Sequence, residues 1–143
     1  MKRIAHFALP IQALAILFLI VTGNFFSSSP FVIAAQVLAL ALMIWARRSF
    51  HAGQFSTNAE PKEGTLMSNG PYRFIRHPMY AASLLLSWSS ILGHLSTITM
   101  IIGLIITLNI ANRIGVEEQY LREHFPDYAE YARKTKRILP YLI

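Results

Sequence analysis

The sequence predicts an all-α integral membrane protein with four transmembrane helices, both termini in the cytosol (N-in/C-in) and a cytosolic C-terminal helical extension. Three observations predict it. Of 143 residues 54% are hydrophobic and only 14% charged, with mean hydropathy +0.42, whereas about a quarter of a soluble domain is charged. The charges are also segregated: residues 4–46 and residues 77–112 contain no Asp, Glu, Lys or Arg. Finally, Lys2 and Arg3, the 47–77 loop and the 113–143 tail hold every charged side chain, and the connections at 22–29 and 93–96 hold none. By the positive-inside rule the charged segments face the cytosol. The length suits a single domain, 1–143.

The first helix is expected at about 4–21, closed by Thr22-Gly23-Asn24, with a kink at Pro10 of the kind membrane helices tolerate. Lys2-Arg3 before an apolar run also resembles a signal peptide, with Ser27-Ser28-Ser29 as a poor cleavage site. The run is too long for a usual signal core, so a retained helix is expected. The second helix, about 30–46, starts at Pro30, which suits a first helical position, and ends before Arg47-Arg48. The cytosolic loop 47–77 follows. Its part 49–69, punctuated by Gly53, Pro61 and Gly64, reads as a lid, because loops this long in small domains usually carry function. The third helix is expected at 78–92. A tight turn, Gly93-His94-Leu95-Ser96, leads to the fourth at 97–124, whose apolar part ends near Ala111. Each apolar segment has about 15–18 residues, at the short end of what crosses ~30 Å of hydrocarbon. The tail 125–143 holds a short helix, about 127–134, with Asp127 as cap or first-turn acid, then Lys136-Arg137-Ile138-Leu139-Pro140-Tyr141, which suits the membrane interface.

The net charge of +6 does not imply nucleic acid, since the basic residues flank apolar segments as orientation signals do. With no cysteine, disulfides, thiolate catalysis and Cys-ligated metals are excluded. No His/Asp/Glu set has metal-ligand spacing, and no metal is expected. His6, His51 and His94 are isolated and read as structural or interfacial. Ser83, Ser87 and Ser90 share one face of the third helix and read as small residues for close packing.

The densest chemistry lies at Asn69-Gly70-Pro71-Tyr72-Arg73-Phe74-Ile75-Arg76-His77-Pro78-Met79-Tyr80, where a loop enters the third helix. Forked guanidinium donors, an imidazole and two phenols crowd a helix start, more than headgroup anchoring requires. A second set lies on the fourth helix. Asn109, Arg113, Glu117, Tyr120 and His124 are spaced to share one face, a polar stripe that begins within the apolar span. Arg113 and Glu117 are one turn apart and can pair. Glu117 and Glu118 cannot share a face, so one is expected inward and the other solvated or paired to a base.

Gly70-Pro71-Tyr72-Arg73 with Arg76-His77-Pro78-Met79-Tyr80 resembles the signature of the isoprenylcysteine carboxyl methyltransferase family, which is related to the phospholipid N-methyltransferases. The second half is similar as well: Arg113 with Glu117-Glu118, then Leu121, Phe125-Pro126, Tyr128, Tyr131, Thr135, Arg137 and Pro140. The resemblance covers about residues 64–141; the first two helices match only as generic spans. It implies an S-adenosylmethionine-dependent integral membrane methyltransferase, with S-adenosylhomocysteine as product. There is no Gly-x-Gly-x-x-Gly motif, in keeping with a fold unlike soluble dinucleotide-binding enzymes. Carried over by position, Tyr72, Arg76, His77, Pro78, Tyr80, Glu117 and Glu118 would bind the cofactor, and Arg113, His77 and Glu117 would serve catalysis. The acceptor implied is a lipophilic carboxyl, thiol or amine, or a lipid headgroup, entering laterally from the bilayer; homo-oligomerisation is left open. Two other readings stand beside it, a nicotinamide-dependent membrane reductase and a non-catalytic scaffold. The methyltransferase reading requires the Arg76–Pro78 corner and the acidic turn at Glu117 to converge from opposite ends of the hairpin and enclose a single nucleoside-sized chamber.

Overall fold

In the computed structural model, residues 8–50 and 66–139 are described. They form five α-helices: α1 (Ala8–Val21), α2 (Pro30–Arg48), α3 (Pro78–Gly93), α4 (Thr97–His124) and α5 (Tyr128–Lys134), with a 3-10 turn at Gly70–Arg73. No strand occurs among the described residues beyond one isolated parallel bridge, Ile75 with Lys136. The expected start of the first helix, Lys2-Arg3, His6, His51, most of the proposed lid and Pro140-Tyr141 lie outside them.

Local chemistry explains the boundaries. α1 ends in a Schellman arrangement: the Asn24 N–H reaches the Leu19 carbonyl (2.8 Å) and the Gly23 N–H the Ile20 carbonyl (3.1 Å). Gly23 supplies the φ of +72° that this ending needs. α2 begins at Pro30 and runs two residues past expectation, through Arg47 and Arg48; cations there complement the helix C-terminus. The α3–α4 turn is held by a capping box, with the Thr99 N–H on Ser96 Oγ (3.2 Å) and the Ser96 N–H on Thr99 Oγ1 (2.9 Å). Asp127 precedes α5 but makes no side-chain cap bond, because its own backbone is already helical (φ −79°, ψ −3°). A capping residue ordinarily sits in the extended region.

α2 packs along α3, and α1 along α4, with α3 and α4 forming the central hairpin. In lipid, apolar burial does not drive helices together; close contact and hydrogen bonds do, at about 0.6 kcal/mol for each interhelical bond. These bonds are present. Gln12 donates to Ser83, Gln36 to Ser90 Oγ (2.9 Å) and the Phe25 carbonyl (2.8 Å), and Trp88 Nε1 to Thr107 Oγ1 (3.0 Å). Ser83, Ser87 and Ser90 are buried in these seams. Gly103 admits Trp88 and Ile91: a Cβ there would stand 2.9 Å from Ile91 Cδ1.

One stripe of α4, Ile106, Ile110 and Ile114, is buried beneath Ala15, Tyr80, Leu84 and Ile138. Its other faces expose Ile98, Ile101, Leu104, Ile105 and Leu108, and α2 exposes Phe31, Val37, Leu38 and Ile44. A soluble surface does not carry apolar belts of this extent. Two helices, Pro30–Arg48 and Thr97–His124, are long and apolar enough to cross a membrane. The described part of α1 (14 residues) and α3 (16 residues) rise only about 21 and 24 Å at 1.5 Å per residue. Four apolar helices thus stand where the sequence puts them, two of them with spanning length.

Candidate active site at the junction of α3, α4 and the tail

The site begins in the 3-10 turn. Gly70 adopts φ +55°, and a Cβ there would overlap Ser49 Oγ at the end of α2, so glycine is required on both counts. The turn buries Tyr72 edge-on against Phe50 (ring centroids 5.5 Å), and Tyr131 of α5 donates to the Tyr72 carbonyl (2.7 Å). Burial raises the Tyr72 phenol, helped by the Glu117 charge. The chain next runs beside its own tail. The Arg76 N–H donates to the Lys136 carbonyl (2.7 Å), the His77 N–H to the Arg137 carbonyl (3.0 Å), and the Lys136 N–H to the Phe74 carbonyl (3.1 Å). Pro78 then opens α3, fully buried.

Two clusters meet at this corner. In the first, the Tyr80 hydroxyl donates to Glu117 Oε2 (2.7 Å) and accepts from Arg113 Nε (2.6 Å). The His77 ring stacks on Tyr80 (5.6 Å, 27°). Arg113 is 4% exposed, its guanidinium carbon 6.0 Å from the Tyr80 ring centre. The expected Arg113–Glu117 partnership is therefore linked through a phenol from the facing helix. In the second cluster, Glu118 is 3% exposed and faces three guanidiniums and an imidazole: Arg76 Nε at 2.9 Å, Arg137 Nη2 at 3.0 Å, Arg122 Nη2 at 3.7 Å and His77 Nε2 at 3.5 Å. Arg76 also donates to the Ala132 (2.9 Å) and Thr135 carbonyls. Burial alone would push the Glu118 carboxyl up. The His77, Arg137 and Arg76 donors outweigh burial and hold it well below the usual carboxylate range.

The structure thus brings together Tyr72, Arg76, His77, Pro78, Tyr80, Arg113, Glu117 and Glu118. The two adjacent acids separate as expected: Glu117 faces Tyr80, and Glu118 faces the tail. Tyr120 and His124 lie farther along α4, where His124 Nδ1 donates to the Tyr120 carbonyl (2.9 Å). Two buried polar atoms at the corner, the Tyr128 hydroxyl and His77 Nε2, make no close hydrogen bond among the described residues, His77 Nε2 having only its 3.5 Å contact with Glu118 Oε1. Burial and the nearby Glu118 charge push the Tyr128 hydroxyl up to about 12. A groove of about 390 Å³ opens on the side of α4 turned away from Glu117, lined by Gly115, Glu118, Gln119, Arg122, Glu123 and Arg137. Its two guanidiniums already rest on Glu118, so it offers no uncommitted cation pair. No group of three or more potential metal ligands occurs among the described residues.

Sequence reasoning missed Arg137, Tyr131 and Thr135 as parts of the site. Their signal was the second half of the resemblance, which contains all three. What it could not give was the fold-back that lays Thr135–Arg137 beside Phe74–His77.

A family profile described as phospholipid methyltransferase matches residues 19–128, across both halves of the site. The chain belongs to the phospholipid methyltransferase family. A relative in Cupriavidus metallidurans, the cobalt-zinc-cadmium resistance protein CzcN, is 36% identical over 83 residues, 57% of this chain and 38% of that protein. Two probable protein-S-isoprenylcysteine O-methyltransferases of Oryza sativa, subspecies indica and japonica, are each 31% identical over 116 residues, 78% of this chain and 58% of theirs. The chain thus spans less than two thirds of the length of these relatives. No solved structure matches. The resemblance read from the sequence is borne out, and this family membership with the exposed apolar helices makes the chain a membrane protein. The reductase and scaffold readings are not favoured.

Proposed function

We propose that this phospholipid methyltransferase family member transfers a methyl group from S-adenosylmethionine to a lipophilic acceptor at the cytosolic membrane face. In this reading all four apolar helices are embedded, N-in/C-in, with α1 and α3 tilted or locally thinning the bilayer. The observation that carries it is the meeting of His77 and Tyr80 with Arg113 and Glu117 at one corner.

The residues fit the methyl donor. A sulfonium ion is attracted to aromatic faces, which Tyr72, Tyr80 and His77 supply. Hydroxyl and ammonium groups need a carboxylate, which Glu117 supplies, half-buried and oriented by Tyr80. His77 Nε2, buried and held only by a 3.5 Å contact with Glu118 Oε1, is a polar atom whose bonding a ligand can complete. When bound, S-adenosylmethionine supplies an electrophilic methyl group and leaves as neutral S-adenosylhomocysteine.

The chain's own residues then act by alignment and exclusion of water. Tyr80 holds Glu117 and Arg113 in fixed register. Arg113, buried and always charged, orients an anionic acceptor, a carboxylate or thiolate, which needs no base. For an amine acceptor, His77 or Glu117 would take the proton. Arg76 and Glu118 are engaged with each other in the structure, and we assign them to fixing the wall that carries His77. The acceptor reaches the corner from the bilayer, beside α1 and α2.

The test is calorimetric titration of the detergent-purified chain with S-adenosylhomocysteine, in wild type and Glu117→Ala. Micromolar binding that weakens at least tenfold in the variant supports the reading. A wild-type protein that takes up none sinks it.

A further inference from the structure

We propose that Arg137 is a positioning residue of this site, through which docking of the C-terminal tail on residues 74–77 and binding of the methyl donor become one coupled event. The inference rests on the donor reading above and adds a component to it.

The wall elements that precede α3 are held by the tail. The Arg76 and His77 N–H groups precede the first turn of α3 and find their acceptors on Lys136 and Arg137; without the tail these donors would lose those partners. The Arg76 side chain is fixed by Ala132, Thr135 and Glu118. Tyr131 fixes the backbone of Tyr72. Arg137 closes the set: its Nε (3.2 Å) and Nη2 (3.0 Å) both donate to Glu118 Oε2, on the carboxylate whose other oxygen faces Arg76 and His77. Arg122 cannot take this part, since it sits on the same helix as Glu118 and ties nothing to it.

The tail is held mainly by polar bonds, with Ile138 on the α4 stripe as its apolar contact. From 133 to 139 only Thr135 is buried, while Arg133, Lys134, Lys136, Arg137 and Leu139 are exposed. Segments with few buried contacts open at low free-energy cost. A ligand that binds only against the docked arrangement must then favour docking by the same factor by which docking favours the ligand.

The experiment uses the full chain in detergent with S-adenosylhomocysteine as probe. Hydrogen exchange over residues 131–139 is followed by mass spectrometry, and affinity by calorimetry, for wild type, Arg137→Gln and Arg137→Lys. The expected result is slower tail exchange on ligand binding in wild type. Arg137→Gln should bind about tenfold more weakly, the low end for loss of a charge-assisted bond by a half-exposed side chain. Arg137→Lys, which keeps charge but loses the fork, should fall between. A wild type that binds the ligand with tail exchange unchanged overturns the proposal. So does an Arg137→Gln protein that melts earlier yet keeps full affinity, as a purely structural role would give. Should Arg137→Gln fail to fold, the wild-type exchange measurement still decides. A wild type that binds no ligand overturns the donor reading, and this coupling with it, and is told apart by the absent calorimetric signal.

Discussion

Replacing Glu118 by glutamine removes one charge and almost no volume, and the structure sets the size of the effect. The loss falls mainly on Arg76, whose side chain is 10% exposed, because Arg137 and Arg122 at 51% and 63% keep their water. Removing one partner of a buried ion pair costs about 3–5 kcal/mol. Arg76 retains the Ala132 and Thr135 carbonyls, which puts the expected loss near the lower end, about 3 kcal/mol. For a chain of this size that is roughly 6–12 °C in Tm. The pH dependence follows from the depressed carboxyl. Its folded pKa lies below the unfolded value of about 4.3, so its contribution is complete above that pH and is lost as pH falls toward the folded value. The stability gap between wild type and Glu118→Gln should therefore stay level from about pH 8 to 5 and narrow below about 4.3. Thermal unfolding in detergent across this range measures it. A gap at pH 7 under about 1 kcal/mol, or one that widens on acidification, would refute the buried-pair reasoning.

Three further outcomes are expected. Tyr80→Phe keeps the ring stacked on His77 but removes the hydroxyl between Arg113 and Glu117; S-adenosylhomocysteine affinity should drop about tenfold or more by calorimetry, the scale of one hydrogen bond to a charged group. Gly70→Ala forces a Cβ onto Ser49 Oγ at positive φ and should lower stability by more than about 1 kcal/mol in thermal unfolding, with part regained in a Gly70→Ala, Ser49→Gly double variant. Since the chain has no cysteine, Ser28→Cys and Lys134→Cys each give a single labelling site; in intact cells an impermeant maleimide should reach the first and not the second, and the reverse pattern would overturn N-in/C-in.

The helices were legible because their signals are local. Apolar runs, a proline at the start of α2 and α3, and Thr22-Gly23-Asn24 after α1 each act within a few residues. The split of Glu117 from Glu118 was legible too, since adjacent helical positions differ by about 100°. Partner choice was not. The spacing of Arg113 and Glu117 speaks only of a contact along one helix; it does not announce the Tyr80 hydroxyl, 33 positions before Arg113, which bonds to both. The partners of Glu118 arrive from 42 positions before it and 19 after, and nothing in a hydropathy pattern announces such meetings. Span length was only partly legible, because composition does not state how many apolar residues are helical.

The hairpin turn ties these levels together. Contacts recede from it in step: Ile91 against Gly103, Trp88 against Thr107, Tyr80 against Arg113 and Glu117, His77 against Glu118. A tight turn fixed by the Ser96–Thr99 capping box therefore sets, some 15 residues away, which α4 side chains confront the start of α3. Small residues at Gly103 and along the serine face keep the helices close enough for that register to be transmitted. α4 must also run on past its apolar part, since Arg113, Glu117 and Glu118 would carry too high a cost within hydrocarbon. Its 28 residues, about 42 Å of rise, are thus a condition of the site: the first half packs along α3, and the second carries Arg113, Glu117 and Glu118 to the level where Pro78 lets α3 begin.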